Sequence, residues 1–162
     1  MNDNFKSNTH FRDKLEKEHE PKVVEIPPNW QKSMGIGSMI ITSPLLVDEL
    51  VRKIPKGKVS TIKLMREKFA DDFKTVTACP LTTGIFLRIV ADAAEEDRLS
   101  GKKNISPYWR VIKDDGSLNP KFPGGIKNQY KHLLEEGFEF TTSESKHVIK
   151  VKDYAKKLFD FS

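Results

Sequence analysis

Apolar residues fall into helix-period runs through the middle of this chain and into alternating pairs near its end. Leu45, Leu46, Leu50 and Val51 recur at the spacing of one helix face. Ser43 before them is a favourable N-cap and Pro44 suits the first helical position, so a helix is predicted from there to just before Pro55. Lys56-Gly57-Lys58 reads as a turn and Val59 as the start of a short extended piece. Thr61 then caps a second helix through Leu64, Met65 and Phe69, closed by Asp71 and Asp72. After Pro80 a third helix carries Ile85, Phe86, Ile89, Val90, Ala93 and Ala94 as an inward stripe, with Glu95-Glu96-Asp97 as a solvated acidic face. Gly124-Gly125 introduces a helix from Ile126 to Glu136 that stops at Gly137. Phe138-Glu139-Phe140 and Val148-Ile149-Lys150-Val151 alternate like a hairpin, and Tyr154 to Phe159 fits a last short helix.

Residues 1–32 show no sustained apolar period and hold Pro21 and Pro27-Pro28, which reads as a flexible N-terminal extension ahead of a domain over 33–162. Ordering is expected only as a helical turn around Phe11 to Glu18 or as an arm of Val23, Val24, Ile26 and Trp30 docked on the domain. Two helices joined by a short linker, preceded by another and followed by Ile105 to Ile112 and a Gly-rich turn, give the order of a helix-turn-helix with a trailing wing. The fold class expected is mainly α with small β elements: a winged-helix-like (helix-turn-helix) DNA-binding domain with a C-terminal hairpin. Such modules bind DNA, and they also serve as protein docking units.

Composition narrows the classes without choosing among them. The 162 residues include 28 Lys or Arg against 23 Asp or Glu, a net charge of +5. That mild basic balance by itself says little about an anionic partner. No stretch approaches the roughly 20 apolar residues of a membrane span, and the N-terminus lacks the apolar run of a signal peptide. The expectation is a cytoplasmic chain without membrane attachment. The single cysteine, Cys79, excludes an internal disulfide, and the 4 histidines lack metal-ligand spacing, so neither metal nor cofactor is expected.

Motifs carry the sharper signal. Ile54-Pro55-Lys56-Gly57-Lys58-Val59-Ser60-Thr61, Pro107-Tyr108-Trp109-Arg110-Val111-Ile112, Asp115-Gly116-Ser117-Leu118, Phe122-Pro123-Gly124-Gly125 and Leu133-Leu134-Glu135-Glu136-Gly137 occur in that order. Together they resemble the DNA-binding domain of the alkylguanine-DNA alkyltransferases, also called methylated-DNA-protein cysteine methyltransferases, over roughly residues 44 to 140. Enzymes of that family flip an alkylated guanine out of the duplex and move its alkyl group to the cysteine of a Pro-Cys-His-Arg-Val motif. Here Tyr108 and Trp109 stand at the cysteine and histidine positions, and neither side chain supplies a thiolate or its activating base. Glu136 matches the glutamate of the family's relay, with no histidine left to orient, which points to a structural or capping role. Cys79 lies beside Pro80, away from this motif, and reads as a small buried hydrophobe.

The resemblance therefore implies no catalytic residue and no alkyl transfer, as in the alkyltransferase-like proteins, which bind alkylated DNA and hand it to other repair factors. Those proteins typically carry Trp then His where this chain has Tyr108 then Trp109. By the same resemblance the partner is double-stranded DNA, alkylated DNA included, with other repair proteins as candidate partners. The expected DNA-contacting residues are Thr61, Lys63, Arg66, Thr82, Thr83, Gly84, Arg88 and Arg110; Tyr108, Trp109, Phe122, Pro123 and Glu136 form the expected base pocket. Gly84 falls where the alignment places an arginine that fills the vacated base position, and Arg88, one turn on, is the nearest substitute or an ordinary phosphate contact. Ile62 replaces a tyrosine. An alternative from another class is a winged-helix scaffold that has lost base flipping and serves protein–protein interaction, with the aromatic cluster as core or docking patch.

Overall fold

The computed structural model describes residues 11–16, 19–145 and 147–162, and its axis is the helix that follows Pro80. Pro80 suits the first turn of a helix, where its missing N–H removes nothing, and α5(Pro80–Leu99) runs from it. The row Thr83, Leu87, Ala91, Glu95 steps by four along its buried side, joined by Val90, Ala93 and Ala94. Three alanines in this stretch let neighbouring helices approach closely. α1(Phe11–Glu16) and α3(Pro44–Arg52) lie against it, and Val47, Leu50, Val51, Met65, Phe69 and Tyr108 complete the main core. Ile85 departs from the expected inward stripe and is exposed. Two residues along a helix are about 200° apart, so Ile85 stands opposite the buried Thr83.

The predicted helix starts hold. The Ser43 hydroxyl accepts the Leu46 N–H at 3.2 Å with Pro44 following it, and the Thr61 hydroxyl accepts the Leu64 N–H at 3.1 Å at the head of α4(Ile62–Phe73). Asp71 and Asp72 do not close α4, which runs on to Phe73. Lys74 closes it in the left-handed region, φ 55°, where its N–H still reaches the last carbonyls. Gly124, at φ 76°, turns the chain into α6(Gly125–Glu135). The acidic run at the end of α5 is a correction: Glu95 and Asp97 are buried, Glu95 four residues beyond the buried Ala91 and Asp97 four beyond the buried Ala93.

The strands are short. β1(Lys22–Glu25) pairs antiparallel with β2(Ser38–Ile41), and β2 pairs parallel with β4(Thr77–Ala78). β3(Ser60–Thr61) runs parallel to β5(Val111–Ile112). The expected hairpin forms as β6(Phe140–Thr142) with β7(Ile149–Val151) and covers a second core of Ile112, Leu118, Leu133 and Phe138. Ahead of β5, Tyr108–Arg110 forms a 3-10 turn, and so does Tyr154–Lys157 near the C-terminus. Among the described residues no helix is long and apolar enough to cross a membrane.

The N-terminal extension also needs correction where it is described. Both expected alternatives occur: α1 forms, and β1 docks as an arm extending the sheet. Leu15 is 1% exposed in the main core. Val24, Ile26 and Trp30 pack with Met39 and Cys79 in a third cluster, followed by the short α2(Gln31–Met34). One leucine in a six-residue helix leaves no periodic trace in sequence, although its burial removes a full side chain from water. The boundary placed at residue 33 thus cuts through packed structure; residues 1–10, 17–18 and 146 lie outside those described. Replacing Leu15 with alanine should cost about 2–5 kcal/mol of unfolding free energy in urea titration. A cost near zero would separate α1 from the cooperative unit.

Candidate nucleic-acid interface

The 107–112 segment is held from behind by a buried carboxylate. Glu95 Oε1 accepts the Tyr108 hydroxyl at 2.6 Å, and Asn128 Nδ2 and His132 Nε2 each lie 3.2 Å from the same oxygen. Arg98 Nε reaches the other oxygen at 2.7 Å. Burial alone would raise the Glu95 pKa, yet these hydrogen bonds outweigh it and bring it down to about 2. The Tyr108 phenol moves the other way, pushed up by burial, by its bond to Glu95 and by that residue's charge. Gln129 on α6 completes the clamp: its Nε2 donates to the Trp109 and Val111 carbonyls, and its Oε1 accepts the Asn119 N–H at 2.7 Å. Sequence reasoning placed Glu95 on a solvated face and did not single out Gln129, though Glu95 continues the four-residue steps of the α5 core row.

Pinning Asn119 beside β5 shapes a cleft between the 119–122 loop and the first turns of α5. It encloses about 410 Å³, within the range of ordinary ligand sites. Leu81, Gly84, Ile85 and Arg88 form its helical wall, and Lys113, Lys121 and Phe122 face them. Every charged residue lining it is cationic. The N-terminus of a 20-residue helix adds a favourable field for an anion close by.

The expected base pocket does not assemble as one site. Phe122 is buried with its ring 5.2 Å from Tyr108, edge to face, and forms part of the cleft wall. Tyr108 is 0% exposed behind it, so no base can stack on its ring. Pro123 serves through its carbonyl, which accepts from Asn128 at 3.0 Å. Trp109 stacks on His132, 4.1 Å between centroids and 10° from parallel, and donates from Nε1 to Glu136. It lines a separate depression of about 470 Å³ with Arg52 and Lys103. Glu136 thus holds Trp109 and Arg110.

The expected DNA-contacting residues divide in the same way. Lys63 and Arg88 are exposed, Thr82 and Gly84 partly so, and a Cβ built on Gly84 would meet no atom within 4 Å. Packing therefore does not require glycine there; its absent side chain leaves backbone open to an outside partner. The other four are engaged within the fold. Thr61 is a buried cap, and the Thr83 hydroxyl donates to the Cys79 carbonyl at 2.7 Å. Arg66 donates to the Ala78 carbonyl and to Thr77, tying α4 to β4. Arg110 pairs with Glu136 at 2.9 Å and donates to the Ile54 carbonyl at 2.7 Å. Lys113, Lys121 and Leu81 were missed, because only the folded chain brings the 113 and 121 positions opposite α5.

Tyr108→Phe should cost about 1–3 kcal/mol of stability by stripping a donor from a buried carboxylate, with binding at the cleft unaltered; a large change in ligand binding at intact stability would return Tyr108 to the binding surface. The Glu95 pKa sets a pH dependence. Its folded value lies below 4.5, so its contribution is full above that pH and is lost as pH falls toward about 2. In thermal melts, Glu95→Gln should be less stable than wild type at neutral pH. The gap should narrow steadily below 4.5.

No family model and no curated protein matches the sequence. Among solved structures, the chain is similar to Schizosaccharomyces pombe Atl1 in complex with damaged DNA containing O6-carboxymethylguanine. The identity is 21% and the TM-score 0.52, covering 72% of this chain and 94% of that one. It is likewise similar to S. pombe ATL in complex with DNA, at 20% identity, TM-score 0.52 and the same coverage, 72% and 94%. α4, the turn through Lys74 and α5 form the helix-turn-helix, and the chain has the winged-helix-like fold of these alkyltransferase-like structures.

Proposed function

We propose that this protein binds double-stranded DNA, alkylated DNA included, through the cleft beside α5 and without transferring an alkyl group. The observation that carries the reading is the cleft of about 410 Å³ whose charged lining residues are Arg88, Lys113 and Lys121. Cations on both walls suit a chain of phosphates, and the apolar floor between them suits a base edge or an alkyl substituent. The solved structures of similar fold hold DNA, one of them DNA carrying O6-carboxymethylguanine.

The chemistry of the site supports binding over transfer. A phenol buried against a carboxylate, its pKa raised, is a poor nucleophile and is walled off from the cleft. Cys79 is buried and does not line the cleft. The protein-docking alternative gains from the burial of Tyr108 but leaves the cationic rim of an open cleft without purpose.

Fluorescence anisotropy of a labelled duplex, with and without one O6-alkylguanine, tests this at two salt concentrations. Affinity should fall steeply as salt rises, with the modified duplex bound more tightly. Arg88→Ala and Lys121→Ala should each weaken binding and reduce the salt slope by about one. Absence of salt-dependent binding to either duplex would sink the proposal.

A further inference from the structure

Leu81 stands on the first turn of α5 with 61% of its surface exposed, and Ile85, one turn on, is 49% exposed. Residues four apart share a helix face, so the two make an apolar ridge, and both line the cleft. Neither belongs to any of the buried apolar clusters, so core packing does not account for them. A lone exposed leucine is ordinary. This one is flanked by Arg88 on its own helix and by Lys113 and Lys121 across the cleft, with no carboxylate among the lining residues. Beside it the open backbone of Gly84 permits close approach.

A protein partner's apolar patch would meet this ridge through a ring of cations. A duplex matches both features, since its phosphates satisfy the cations and its base faces satisfy the ridge. Proteins that kink DNA from the minor groove insert apolar side chains of this size between base pairs. We infer that Leu81 is an unstacking wedge. Its side chain enters between two base pairs and opens the stack next to the cleft, Ile85 backs it from the following turn, and the flanking cations hold the phosphates on either side. This assignment rests on the DNA binding proposed above and names the group that deforms the duplex.

The test uses the full chain and a duplex carrying 2-aminopurine, whose fluorescence rises when it unstacks, with anisotropy of the same duplex read in parallel. Wild type should raise the fluorescence on binding. Leu81→Ala should bind about tenfold more weakly, as burial of a leucine side chain implies, and should give little rise even at saturation. Leu81→Phe should restore the rise, because the wedge needs an apolar body of sufficient size. Thermal melts of both variants should match wild type, Leu81 being outside the core. An equal rise from saturated Leu81→Ala overturns the wedge. Salt-dependent wild-type binding with no rise overturns the wedge alone, whereas absence of any wild-type binding removes the DNA reading and the wedge together.

Discussion

A carboxylate taken out of water has to be met by donors, or the site loses several kcal/mol. Glu95 is met from three directions: by Arg98 on its own helix, by Tyr108 ahead of β5, and by Asn128 and His132 on α6. Those partners are far apart in sequence, so satisfying one buried charge fixes α6 and the 108 turn against α5. The aromatic packing follows from it. Tyr108 is held where Phe122, Trp109 and His132 meet its ring, all of them edge-on. Gln129 then carries the constraint outward to Asn119 and the cleft wall.

The same helix serves as core and as surface. The inward row of α5 organises the main cluster, and its outward N-terminal turns present Leu81, Gly84, Ile85 and Arg88. Rigidity on one side supports recognition on the other, since a binding surface built on a packed helix is placed more reliably than one on a loop. Tyr108 fits this division: it is a buried tie between α5 and the turn ahead of β5, while the cleft beside it stays open.

The N-terminal segment adds a layer that the helix-turn-helix alone does not require. α1 covers the α3–α5 seam with Leu15, and β1 extends the sheet whose other members, β2 and β4, lead into α3 and α5. Arg66 bonds the α4 side to β4 just before α5 begins. The turn of the helix-turn-helix is thus braced by β4 and the sheet it belongs to, which accounts for an arginine being used internally in a motif where basic residues ordinarily face DNA.

Sequence alone determined the parts governed by local chemistry. The caps at Ser43 and Thr61, the helix after Pro80, the α6 stop at Gly137 and the β6–β7 hairpin depend on neighbouring residues, and all were legible. So was the motif order that marked the fold. Tertiary structure decided which polar residues are committed and which are free. An acidic or basic side chain committed within the fold looks the same in sequence as a solvated one; Glu95, Arg66 and Arg110 differ from Lys63 and Arg88 in the partners that distant segments bring to them. The cleft is of the same kind, because its walls are residues 81–88 and 113–122, and the second wall is tied down by hydrogen bonds through Gln129 that no local pattern encodes.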